Sequence, residues 1–225
     1  MNVARARPDR KLLNRQRPHW DRTFSRHPNM FGKDPSDPVR KAVELFKQEG
    51  KLKILELGCG QGRDALFLAQ CGFQVHALDY SEKAVAAVRR RARVLGLSAS
   101  VTAMRHDVRN PLPFGDESVD ACYSHMLYCM ALTESELGSL SREIWRVVKP
   151  GGLNVYTARN TNDPHYGKGI RRGEDLYEMG GFVVHFLSRE KVRRLASGYD
   201  PVSVDEFEEG ELPRRLFRVT LRKPG

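Results

Sequence analysis

The chain has 225 residues, of which 40% are apolar and 29% charged, the composition of an ordinary globular protein of one domain with some additional structure. No apolar run approaches the roughly 20 residues of a membrane-spanning helix. No apolar segment follows the basic N-terminal residues, so neither a membrane partner nor a secretory signal is expected, and a cytoplasmic location is predicted. The formal net charge is +10, and part of it sits in Arg5, Arg7, Arg10, Lys11, Arg15 and Arg17, set against Asp9 alone. Such an arm reads either as a solvated segment or as a contact for nucleic acid or another anion, and net charge does not choose between them.

Residues 1–37 read as an irregular, Pro-punctuated arm with one aromatic cluster, Trp20, Phe24 and Phe31, and are expected to cover a substrate or cofactor. Pro38 opens a helical pattern whose apolar stripe runs through Val39, Ala42, Val43, Leu45 and Phe46 and stops at Gly50. The chain then alternates. Strands are predicted at Lys53–Leu57, Gln74–Asp79, Val101–His106, Val119–Ser124 and Leu153–Arg159. Helices are predicted over Gln61–Cys71, from a Ser81 cap to about Leu95, from a Thr133/Glu136 capping box to about Val147, and from a Ser188 cap to Gly198. This alternation implies a parallel sheet with helices on both faces. Val202–Glu208 and Leu216–Leu221 break it, because the link between them is too short for a crossover helix and the last strand must be antiparallel.

Cys59, Cys71, Cys122 and Cys129 form no Cys-x-x-Cys pair and no Cys/His zinc spacing. Cys71, Cys122 and Cys129, in apolar segments, read as small buried thiols, and no metal is expected.

The strongest local signal is Ile54-Leu55-Glu56-Leu57-Gly58-Cys59-Gly60-Gln61-Gly62, a strand that ends in a glycine-rich turn and opens a helix. Glycines let a ligand approach the backbone, and a helix N-terminus attracts an anion. A nicotinamide loop has a small residue at the position of Arg63. Glu56, just before the loop, would oppose a pyrophosphate but suits a ligand carrying an ammonium group, such as S-adenosylmethionine (SAM). Asp79 ends the second strand about 20 residues past the loop, where an acid accepts from ribose hydroxyls. Asp107-Val108 follows the third strand, beside the expected adenine, although Asp107 also reads as a turn former near Asn110-Pro111.

Glu56 to Gly62, Asp79, Asp107-Val108, the strand into His125-Met126-Leu127 and the turn Lys149-Pro150-Gly151-Gly152 occur in the order of the class I SAM-dependent methyltransferases, which the chain resembles from about Trp20 to Lys223. The resemblance implies a Rossmann-like, mostly parallel seven-stranded sheet with helices on both faces and a C-terminal antiparallel hairpin, the methyltransferase domain occupying residues 38–225. It also implies SAM as cofactor and S-adenosylhomocysteine (SAH) as product. The cofactor residues it implies are Glu56, Gly58, Cys59, Gly60, Gly62, Arg63, Asp79, Tyr80, Asp107, Val108, Ser124 and His125. Trp20 to Phe31, Pro35-Ser36, Gly60 to Leu68 and Gly210-Glu211-Leu212-Pro213-Arg214 are further similar to the tellurite-resistance type of small-molecule methyltransferase. That family has a histidine at the position of Pro213, whereas Arg214 matches.

In open parallel sheets ligands lie beyond the C-terminal strand ends. His125 or Tyr128 is therefore expected near the transferred methyl group, with Phe31 in the same substrate region. A long insert over residues 159–187 is expected to act as a lid, with Arg159, His165, Tyr166 and His185 facing the site. His125 and His185 are candidate general bases, and Arg159 and Arg214 could hold an anionic acceptor such as a thiolate or metalloid oxyanion. The absence of an Asn/Asp-Pro-Pro-aromatic motif after the fourth strand argues against exocyclic amines of nucleic acids. The function expected is methyl transfer to a small molecule. Modification of RNA or protein, SAM binding without catalysis and a nicotinamide enzyme stand as alternatives.

Overall fold

The computed structural model describes residues 9–210 and 214–225. Arg5, Arg7 and Pro213 lie outside the described residues. In chain order the elements are α1 (Arg10–Asn14), α2 (Gln16–Arg26), α3 (Asp37–Gln48), β1 (Lys53–Leu57), α4 (Arg63–Gln70), β2 (Gln74–Asp79), α5 (Glu82–Val94), β3 (Val101–Arg105), β4 (Val119–Ser124), α6 (Glu134–Val147), β5 (Val148–Arg159), β6 (Ile170–Gly173), β7 (Leu176–Met179), β8 (Phe182–His185), α7 (Arg189–Leu195), β9 (Asp200–Glu209) and β10 (Arg214–Arg222). No helix among the described residues is long and apolar enough to cross a membrane.

One seven-stranded sheet runs β3-β2-β1-β4-β5-β10-β9. β1 pairs parallel with β2 and β4, while β10 pairs antiparallel with β5 and β9. The order reverses between β1 and β4, and this opens a crevice at their carboxyl ends. Two-residue alternation divides β1 between the faces. Ile54 joins the cluster under α3, α4 and α5 with Phe46, Leu68 and Val88, whereas Leu55 and Leu57 join that of Ile144, Tyr156 and Phe217. Side chains cap the helices where the sequence places them. Ser81, Ser188 and Thr133 each accept from a first-turn N–H, and Glu136 completes the capping box.

The N-terminal segment departs from its irregular reading. Asp9 caps α1, and Pro18 falls in the first turn of α2, where its missing N–H leaves no intrahelical bond unmade. The insert also carries structure of its own, a three-stranded antiparallel sheet β6-β7-β8. The two packages meet. The carboxamide of Gln16 donates to Gly181 O (3.0 Å) and accepts from Val183 N (3.1 Å), and the Trp20 ring lies 4.9 Å from that of Phe182.

Gly62 caps α4 in the left-handed region at φ +83°, and a Cβ built there would lie 2.8 Å from Val88 Cγ2. This glycine packs the loop against α5. Gly62→Ala combines an unfavourable φ with overpacking and is expected to cost about 2 kcal/mol. The check is a lower urea midpoint with an unchanged slope, and an unshifted midpoint would contradict it.

Candidate functional site

Hydrogen bonds within the chain fix the glycine loop. Gly58 N and Cys59 N both donate to Leu78 O, at 2.8 and 3.0 Å. Asp79 accepts from Gly60 N (2.9 Å) and from Ser81 N (2.8 Å), so one carboxylate ties the loop to the start of α5. Burial pushes the Asp79 carboxyl up to about 6, against the two backbone hydrogen bonds that lower it. Glu56 is 3% exposed, and its Oε2 has no partner among the described residues. Burial, then the charges of Asp64 and Asp79, hold its carboxyl well above the usual range despite Arg63.

Two adjoining cavities occupy the crevice. One, of about 820 Å³ including space open to solvent, is lined by Leu13, Trp20, Asp79, Tyr80, Val108 and Leu132 among others. The second, about 2210 Å³ and continuous with solvent, is bordered by Glu56, Cys59, Arg63, Met179, Phe182 and Arg214. Trp20, Phe31, Gly58, Gly60, His125, Met126 and Met130 border both. A Cβ at Gly60 would meet only Phe24 and Phe31, at 3.8 and 4.0 Å, so the loop backbone stays open to a ligand.

These residues fit SAM. The orphaned Glu56 carboxylate calls for a cation, which the ammonium group supplies. Asp79 offers an acceptor for hydroxyls, and the smaller cavity offers apolar walls for a base. Asp107 lines that cavity, but Arg109 clamps it through Nε (2.9 Å) and Nη2 (2.6 Å) and reaches Asn14 through Nη1 (2.7 Å). Burial raises the Asp107 carboxyl, and the Arg109 bonds outweigh this and hold it below its ordinary value.

Several expected site residues lie elsewhere. His185 is fully buried, because the pleat of β8 turns it inward; its Nδ1 meets Leu132 O (2.7 Å) and its Nε2 meets Lys191 Nζ (2.8 Å). Burial and the Lys191 charge lower it to about 4, and it borders neither cavity. Tyr128 stacks on Tyr156 at 3.9 Å in the core, so it is no substrate contact. Tyr166 packs against Tyr177 and Phe186 and donates to Asp175 (2.9 Å), which keeps it within the insert. Ser124 is wholly buried and, like Gly62, borders neither cavity. Arg159 does border the larger one, but its charge is matched by Asp163 at 2.6 and 2.9 Å, with His165 Nδ1 2.8 Å away. Phe31, His165 and Arg214 face the larger cavity.

Three contributors escaped the sequence reading. Gln61 holds the covering segment through His27 O (2.9 Å) and Met30 N (3.1 Å). Thr157 Oγ1 lies 2.8 Å from His125 Nδ1 and accepts from Met126 N (3.0 Å). Glu209 Oε1 lies 3.3 Å from His125 Nε2. Topology could have found Glu209. β10 is antiparallel to both of its neighbours, so β9 runs parallel to β5 and ends on the same sheet edge as His125. Met126, at φ +64°, is a non-glycine residue in the left-handed region where the two cavities join, a strain that surrounding packing must hold.

Residues 54–152 match a family model described as a methyltransferase domain. The 24-methylenesterol C-methyltransferase 2 of Arabidopsis thaliana is 28% identical over 178 residues, covering 73% of this chain and 48% of that protein. The chain thus spans about half the length of the curated relatives it matches. Among solved structures, the 1,6-didemethyltoxoflavin-N1-methyltransferase of Burkholderia thailandensis with bound 1,6-didemethyltoxoflavin and SAH has a TM-score of 0.75 at 17% identity, covering 100% of this chain and 94% of that one. TehB of Haemophilus influenzae has a TM-score of 0.66 at 18% identity, covering 91% and 67%. Fold, glycine loop and matched domain agree: residues 54–152 match a methyltransferase domain, and the chain has the fold of the class I SAM-dependent methyltransferases.

Proposed function

We propose that the chain transfers the methyl group of SAM to a small molecule held in the larger cavity. One observation carries this reading. The cofactor-side cavity and the larger one meet at Gly60, His125 and Met126 beneath a cover of Trp20 and Phe31. A covered junction suits in-line displacement, where alignment and exclusion of water supply much of the rate. Bound SAM would bring a methyl group already activated on a sulfonium sulfur. The protein's share is to bind and orient. Glu56 would take the ammonium end and Asp79 the ribose hydroxyls. The aromatic faces of Trp20 and Phe31 attract a cation through their ring quadrupoles. Residues 10–31 and the insert sheet serve as the cover, and Arg214 and His165 stand where an anionic part of the acceptor would lie.

The test is a transfer assay with labelled SAM against thiols, phenols, small amines, selenite, tellurite, total RNA and a protein mixture, together with SAH calorimetry. Label in a small molecule is expected. Label only in RNA, with binding that falls steeply with salt, or only in protein would overturn the acceptor assignment. Failure to bind SAH would overturn the reading as a whole.

A further inference from the structure

His125 stands between two partners on different strands. Thr157, on β5, is fully buried, and its Oγ1 already accepts the backbone N–H of Met126 at 3.0 Å. The hydroxyl hydrogen needs an acceptor, and His125 Nδ1, 2.8 Å away, is the one that meets it among the described residues. Nδ1 therefore carries no hydrogen in neutral His125. The ring's hydrogen sits on Nε2, the nitrogen that faces Glu209 Oε1 at 3.3 Å. This tautomer gives the Thr157 hydroxyl, both ring nitrogens of His125 and Glu209 Oε1 a partner. It also leaves the imidazole with no free basic nitrogen. The group with spare acceptor capacity is the Glu209 carboxylate, a quarter exposed and lining the larger cavity.

The geometry points to Glu209 as the proton acceptor of this site, positioned by His125 and Thr157, and to an acceptor molecule whose nucleophile is a protic oxygen or nitrogen. This rests on the reading that the larger cavity holds the methyl acceptor. A preformed anion has no proton to lose and would be repelled by a carboxylate at this position. A hydroxyl or N–H nucleophile forms its bond to the methyl carbon, the carbon–sulfur pair returns to sulfur, and the nucleophile's proton passes to Glu209. Attack makes that proton strongly acidic, so the receiving carboxylate need not be a strong base. Burial raises the Glu209 carboxyl, but contact with His125 and the charges of Arg63 and Arg214 outweigh this and hold it below the ordinary range. It is therefore ionised and ready at neutral pH. In this arrangement His125 acts through Glu209 as a positioning residue, in place of the general base expected from the sequence.

Nitrogen NMR of His125 tests the tautomer without any acceptor. A protonated Nε2 and bare Nδ1 are expected, with Thr157→Val releasing Nδ1 from its hydrogen bond. A protonated Nδ1 in the wild type overturns the proposal. The transfer assay then uses phenol and aniline as protic probes and selenite as a preformed anion. Turnover of a protic probe is expected to fall on the order of 100-fold or more in Glu209→Gln. The loss is expected in kcat with KM little changed, and the acid limb of the kcat profile at saturating cofactor should vanish. Turnover of selenite alone, or an unchanged kcat in Glu209→Gln, overturns the assignment. If none of the probes turns over, the tautomer decides. SAH calorimetry on the wild-type chain separates failure here from failure of the methyltransferase reading.

Discussion

Asp79→Ala is expected to weaken SAH binding about 100-fold. The carboxylate does two things at once: it is the acceptor for Gly60 N and Ser81 N, and it faces the smaller cavity. A hydrogen bond to a charged group contributes about 1.5–3 kcal/mol, and every 1.4 kcal/mol is a factor of about ten in affinity. Alanine removes the ligand's acceptor and frees two buried N–H groups, so the loop also loses its fixed shape. The same carboxylate predicts a pH dependence. Burial makes it titrate at about 6 instead of 3.8. Its contribution to folding stability is therefore fully present below about 3.8 and is lost as the pH rises to about 6. A ligand hydroxyl favours the ionised form, so binding releases a proton and tightens as the pH rises. SAH affinity should be at least about tenfold lower at pH 5 than at pH 7, and Asp79→Ala should reduce this dependence to the share of Glu56. Calorimetry at the two pH values checks both statements, and equal affinities in the wild type would contradict them.

Lys191→Ala is expected to cost about 3 kcal/mol of stability. The ammonium is buried, with Asp175 at 2.9 Å, Glu134 at 3.0 Å and His185 Nε2 at 2.8 Å. It also donates to Glu174 O at 2.5 Å. Removing one side of a buried ion cluster leaves the other side uncompensated, typically at about 3–5 kcal/mol. Arg194 still reaches Glu134 at 3.2 Å, which favours the lower end. For a chain of this size the melting temperature should fall by about 10 °C. The partners of Lys191 lie on α6, the β6–β7 turn and β8, so hydrogen exchange should rise first in the insert sheet. A melting temperature within about 2 °C of the wild type would show that the cluster contributes little.

What could be read in the sequence was local in origin. Ser81, Thr133 and Ser188 cap their helices through their own side chains, and the boundaries of β2 and β4 follow from apolar runs between turn residues. The glycine loop and the closing hairpin were legible for the same reason. α1 and α2 were not, because Leu12, Leu13 and Phe24 are their only buried apolar side chains. Docking on Phe182 and the Gln16 bridge supplies the rest. Site membership failed where it depended on side-chain direction. Tyr128 follows the end of β4 and His185 lies in the insert after β5, yet stacking and pleat turn them into the core. Glu209, far along the chain, reaches the site because of how the final strands are paired.

The Gln16 carboxamide has a kinetic consequence. Its two bonds to the β8 hairpin belong to one planar group, so neither can be lost while the other persists in good geometry. The helical cover and the insert sheet are thus expected to separate in one concerted event, without fraying. Amides of α2 and of β8 should exchange with solvent at a common rate, which SAH slows for both segments alike; independent rates would contradict a shared latch. Spent cofactor and methylated product would then leave through the same opening, and turnover would have one gate where the two cavities suggest two.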